Sequence, residues 1–443
     1  MQLTRRTFLM ASAAPALAQR KAAPRPPNIV LVMADGLGAW LLACYGNREI
    51  RTPNIDLLAR SGTRFLHNNV SAPVSSAARA TLFTGRAASQ HGIRDTLLPN
   101  AALPASFRGE VMISDVLASA GYNCGYLGKW DIGGDAVSQH GFRTWDASRA
   151  AAGQVTAKAA QFLAGQKAEQ PFFLTAAYPD PVEPYDGYPR KFYEMYARAT
   201  FETVGWLPAS PRGAQGKEYF RDIVGNLRKY AAAISALDEQ VGSLMAALDK
   251  TGQRDQTLVV LTAATGLLAG RHGLWGAGHA SAPVNFYQEA IEVPMIWNWP
   301  GHIPVEAVRP EVVSHYDLLP SLCEAAGLKP PEARSLCGRS YALLALNKPL
   351  PKNQPWRNLA FGQLGNAEMV MDYRYKLVLR NNGAGPNDLY DLREVPSEST
   401  NQYQNPKFVS VRDVLSKELD QWRRKYGTAP LKVIPRQPLG SVA

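Results

Sequence analysis

The run Asn28–Ala34 (NIVLVMA) carries no alternation of polar and apolar residues and stops abruptly at Asp35-Gly36. Such a run fits a strand buried on both faces, as in the middle of a parallel sheet, and not one with a wet side. A second run of the same kind, Thr257–Ala264 (TLVVLTAA), and shorter ones at 122–127, 171–178 and 293–299 extend the pattern. Between them lie stretches with helical signals. Pro53–Arg60 (PNIDLLAR) opens with Pro and is followed by Gly62, and 112–120, 222–250 and 317–326 show helical periodicity. Buried strands alternating with helices predict an α/β fold, a large mostly parallel sheet sandwiched by helices. In such sheets ligands gather beyond the carboxyl ends of the strands, so Asp35, the segment after Tyr178 and the segment after Leu261 should share one rim.

Past residue 350 the pattern changes. Met369–Arg380 reads as a hairpin, 389–392 as a short strand and 409–426 as an amphipathic helix. The expected organisation is an α/β domain over 28–350 and a small α+β C-terminal subdomain over 351–443.

The first residues read as an address. Thr4-Arg5-Arg6-Thr7-Phe8-Leu9 fits a twin-arginine export signal, an apolar run to Ala18 is too short to span a bilayer, and Ala16-Leu17-Ala18 offers a cleavage site. Residues 1–18 are therefore expected to be a signal peptide and 19–27 a linker, giving a periplasmic or secreted protein. No later stretch predicts a membrane span. Net charge is +11, but Lys and Arg are scattered without a basic block, which argues against nucleic acid and leaves attraction to sulfated or other anionic glycans open. Cys44, Cys124, Cys323 and Cys337 lack zinc spacing. Cys323 and Cys337 are compatible with a disulfide, and buried free thiols are equally compatible.

Several segments in order resemble the sulfatase family of the alkaline-phosphatase superfamily: PNIVLVMADGLG, TPNIDLLARSGTRFLHNNV, SSAARATLFTGR, GYLGKW, YPDPVEPY, TGLLAGRHGLWGAG, EVPMIWNWPG and SHYDLLPSLCEAAG. The resemblance implies a formylglycine made from Cys or Ser, a calcium ion held by acidic and amide side chains, and Lys, His and Arg residues that neutralise sulfate. A hard cation of this size takes six or more oxygen ligands.

Position by position, much of that equipment is missing. The opening Asp-Asp turn of the family is Asp35-Gly36, and the later Asp-Asn or Asp-His pair falls on Ala264 and Thr265. The modifiable residue falls on Ser75, four before Arg79. The Lys-x-His of the family is Lys129-Trp130-Asp131. Val182 and Ala277 stand where a His and a sulfate-binding Lys are expected. Asp35 is thus the remnant of the metal site, and Ser75, Arg79 and Lys129 are the remnants of the catalytic and substrate-binding set.

Two readings follow from the resemblance. The first is a catalytically impaired homologue, or pseudoenzyme, with no cofactor, that binds sulfated or anionic glycans through Arg79 and Lys129. The second is an active Ser-type sulfatase that uses calcium and a formylglycine made from Ser75. A phosphomonoesterase or phosphodiesterase on the same scaffold is disfavoured, because two-metal members need more Asp and His ligands. Without a metal, Ser75 reads as a helix N-cap, and Arg79 and Lys129 are expected to pair with Asp35 and Asp131. His272 and His279 are expected near the rim in supporting or surface roles, and Trp297 and Trp299 as core.

Overall fold

The structure is a computed structural model that describes residues 25–181, 183–332, 335–393 and 398–426. The proposed signal peptide, most of the linker and Val182 lie outside the described residues.

Eight strands form the main sheet: β1 (Asn28–Ala34), β2 (Thr63–Asn69), β3 (Asn123–Gly128), β4 (Thr144–Asp146), β5 (Phe172–Ala177), β6 (Thr257–Ala263), β7 (Met295–Asn298) and β8 (Ala307–Ser314). Their order is β4-β3-β5-β1-β6-β7-β2-β8. The apolar runs sit in the middle of it. β1 lies between β5 and β6, parallel to both, and every residue of β1 and β6 is buried. β7 alone runs against its neighbours β6 and β2, so the sheet is mostly parallel.

The helix Ile223–Lys250 packs on Ala152–Ala164 and on Pro53–Arg60. Its N-terminus is fixed by Asp222, whose carboxylate accepts the Gly225 N–H at 2.9 Å, as a capping residue should. The helix Ser75–Thr84 is buried from Ser76 onward. A residue at its fifth position, Arg79, is thereby forced into the interior.

Residues from Ala360 onward build a second, antiparallel sheet of β9 (Ala360–Leu364), β10 (Ala367–Met371), β11 (Tyr375–Arg380) and β12 (Asp388–Asp391). The helix Val409–Tyr426 covers β10 and β11. It presents Leu415, Leu419 and Trp422 at helical spacing, and Trp422 stacks on Phe361 with centroids 5.0 Å apart.

The four cysteines are free. Trp297 is fully buried and packs edge-on against Tyr341, whereas Trp299 is partly exposed and stacks on His302. Among the described residues no helix is long and apolar enough to cross a membrane.

Candidate functional site: a closed ion-pair network at the strand ends

The rim expected at the carboxyl ends of the strands is assembled by backbone bonds. Asp35 N–H donates to Asp180 O at 3.0 Å, Leu37 N–H to Thr265 O at 2.8 Å, and Ala264 N–H to Ala34 O at 2.8 Å. The turns after β1, β5 and β6 therefore meet at Asp35. Gly36 takes φ +69°, a left-handed conformation that glycine adopts without strain, and its carbonyl accepts the Tyr230 hydroxyl.

Asp35 is the hub, with only 8% of its side chain exposed. Its carboxylate accepts from Ser75 Oγ at 3.0 and 3.1 Å, from Arg79 Nη2 at 3.2 Å, from Thr265 Oγ1 at 3.4 Å and from the Lys129 ammonium. Burial alone would raise its pKa. Lys129 and Arg79 overcome that effect, with hydrogen bonds from Lys129 and Ser75 helping, and hold it at about 2.

Arg79 and Lys129 belong to one network, not to two separate pairs. Arg79 Nη1 donates to the Lys129 carbonyl at 2.9 Å. Lys129 Nζ reaches on to Asp131 Oδ2 at 3.1 Å. The next member, Arg149, carries no signal in the sequence; its Nη2 lies 2.6 Å from Asp131 Oδ1. It follows the edge strand β4 and lies 18 residues from Asp131 along the chain, beyond the reach of any local spacing rule.

Ser75 is not the N-cap. Val74 occupies that position and Ser75 begins the helix, leaving its hydroxyl free to turn toward Asp35. The stronger acceptor wins, because a hydrogen bond to a carboxylate outweighs one between neutral groups. Asp180 does not reach into the network. Its carboxylate accepts from Tyr188, and burial raises its pKa.

The donor set does not fit calcium. Gly36 and Ala264 offer no side-chain oxygen, and the Thr265 hydroxyl is already spent on Asp35. An ammonium and a guanidinium stand against Asp35 where a divalent ion would have to sit, and like charges at that distance repel. Arg79 has no exposed side-chain surface and Lys129 has 8%, so in this arrangement both face carboxylates and not a ligand.

Ala277 places a methyl group against an apolar cluster that includes Leu274 and Tyr390. His272 stacks on Tyr287 and lies 3.1 Å from Glu289, while His279 meets Asp95. His272, Glu289 and Glu398 are close enough to one another to share a metal ion. However, Arg271 already holds Glu289 and Lys376 holds Glu398, so the cluster is charge-balanced without one.

Sequence comparison agrees with this architecture. Residues 27–328 match the family model described as Sulfatase, and residues 284–425 match N-sulphoglucosamine sulphohydrolase, C-terminal. The chain belongs to the sulfatase family. Among its sulfatase relatives, arylsulfatase A of Homo sapiens is 30% identical over 70% of this chain and 66% of that protein, so this chain spans just under two thirds of that relative. N-acetylglucosamine-6-O-sulfatase of Bacteroides thetaiotaomicron is 23% identical over 95% of this chain and 91% of its own. A sulfatase-fold structure solved with its substrate D-glucosamine-2-N,6-O-disulfate superposes with a TM-score of 0.75 at 19% identity, covering 92% of this chain and all of the other. At that identity the likeness establishes the fold, which is alkaline-phosphatase-like. The residues at the strand ends of this sulfatase-family chain must speak for its chemistry.

Proposed function

We propose that this chain is a catalytically inactive sulfatase homologue, exported by the twin-arginine route, which uses no metal cofactor and binds sulfated or other anionic glycans without cleaving them. The carrying observation is the saturation of Asp35 by Lys129, Arg79 and Ser75. Sulfuryl transfer needs preplaced positive charge that is free to meet the charge developing on sulfate. Here the two inherited cations are buried against carboxylates, and the third sulfate-handling cation is replaced by Ala277. The glycan half of the reading is supported by the relatives, one of them an N-acetylglucosamine-6-O-sulfatase and another solved with a sulfated glucosamine, and by the net charge of +11.

One observation favours the competing reading of an active Ser-type enzyme. The Ser75 side chain points into the site from the start of a buried helix, with Arg79 one turn on.

Co-expression with a radical-type maturase, followed by mass spectrometry of the Ser75 peptide and a sulfate-release assay on sulfated glycosaminoglycan fragments, separates the two. The proposal predicts intact serine and no release. A peptide lighter by two hydrogens, together with sulfate release, would refute it.

A further inference from the structure

Beside the network lies a cleft of about 250 Å³, lined by Leu97, Trp130, Asp131, Asp135, Trp145 and Arg149 among others. Two features set it apart from an ordinary surface fold. Trp145 stands on the edge strand β4 with 52% of its surface exposed, although burying an indole is among the larger hydrophobic gains available to a chain. Arg149 has 59% of its side chain exposed and spends Nη2 on Asp131, which leaves further N–H donors of the guanidinium open among the described residues.

The charges explain why an anion would stop here. Arg79, Lys129 and Arg149 face Asp35 and Asp131, three cations against two carboxylates. Arg79 and Lys129 are buried, so the unmatched charge falls on Arg149, the member open to solvent. Asp135, the other carboxylate of the cleft, is turned onto His140 at 2.6 Å and not onto Arg149. The floor is fixed: the Trp130 indole donates to the Asp135 carbonyl at 3.1 Å, and Trp130 packs edge-on against Tyr126. A rigid cleft with an aromatic face on one wall and a planar cation on another matches a ring that is apolar on its face and anionic at its edge.

We infer that this cleft is a saccharide subsite: one sugar ring stacks on Trp145, and a sulfate or carboxylate group on that ring pairs with Arg149. The inference rests on the glycan-binding reading above and supplies the site that Arg79 and Lys129, both buried, do not offer.

Calorimetric titration of the full chain with a heparin-derived tetrasaccharide, at low and at high salt, tests it. The Trp145→Ala and Arg149→Ala variants should each weaken binding by about tenfold or more, the arginine change also flattening the salt dependence, with the melting temperature shifted by no more than about 4 °C. Wild-type affinity in both variants would overturn the subsite while leaving glycan binding intact. Equal affinity of the wild type for an uncharged tetrasaccharide would overturn the role of Arg149. No binding by the wild type at low salt would remove the subsite and the glycan reading together.

Discussion

The ammonium of Lys129 is bound to the carboxylate of Asp35, so the cation beside the surviving carboxylate of the metal turn is supplied by the chain itself. This arrangement gives the losses around it a common cause. Clustered carboxylates are stable only with a cation among them, and several without one would repel and resist burial. With Gly36, Ala264 and Thr265 in the other positions, one carboxylate remains, and Lys129 and Arg79 more than neutralise it. Asp131 takes up the surplus.

Removing the hub should therefore cost more than removing a spoke. Asp35→Ala leaves Arg79 buried with no carboxylate on its guanidinium among the described residues, and should destabilise the fold by about 3–5 kcal/mol in denaturant titration. Lys129→Met leaves Asp35 with Arg79 and Ser75, and leaves Asp131 with Arg149, so about 1–3 kcal/mol is expected. Arg149→Ala, at an exposed pair, should cost under about 1 kcal/mol. Equal losses for all three would show that the groups are not coupled as drawn.

Acid should weaken the protein through the same residue. The folded pKa of Asp35, about 2, lies below its ordinary value of 3.8. The stability it contributes is complete above about pH 4 and is lost as pH falls toward 2, and it amounts to about 2 kcal/mol. Stability curves of the wild type and Asp35→Asn measured between pH 5 and 2 should converge by that margin. Parallel curves would mean that the carboxylate titrates normally.

His140 sets a limit on the alkaline side. Burial would lower its pKa, but Asp115 and Asp135, 3.3 and 2.6 Å away, raise it to about 9. Because the folded value is the higher one, this stability is full below about pH 6.5 and is lost as pH rises through 9, by about 2–3 kcal/mol. His140→Gln should flatten thermal stability between pH 6.5 and 9, and NMR titration of the ring should give a midpoint near 9. A midpoint near 6.5 would contradict the geometry.

Gly128 positions Lys129, and the backbone allows nothing larger there. At φ +109°, a Cβ would lie 2.0 Å from the Ala177 carbonyl oxygen on the adjacent strand β5. Gly128→Ala should cost about 2 kcal/mol or more and should shift the Lys129 resonances. A neutral substitution would show that the end of β3 can give way.

How much of this was legible in the sequence depends on where each residue sits. β1 and β6 were visible because strands buried on both faces need no alternation. β2 and β8 were not: TRFLHNN is mostly polar, and β8, an edge strand carrying Pro310, is buried only from Val312 onward. The helix Ala152–Ala164 carries no such signal, because its caps are Ala151 and Gly165 and no side chain marks its start. Asp35, Arg79, Lys129 and Asp131 were legible because they lie within a few residues of recognisable segments. Arg149 was not, since its place is set by the register of β4 on β3. Capping, a local rule, assigns the Ser75 hydroxyl to its own helix, whereas the carboxylate that captures it is forty residues away.

Calcium content tests the central claim most directly. Protein purified from calcium-containing medium, dialysed free of unbound ions and assayed by atomic spectrometry should carry no stoichiometric calcium, and titration with calcium should neither release heat nor raise the melting temperature. One calcium per chain, lost in Asp35→Ala, would contradict the account.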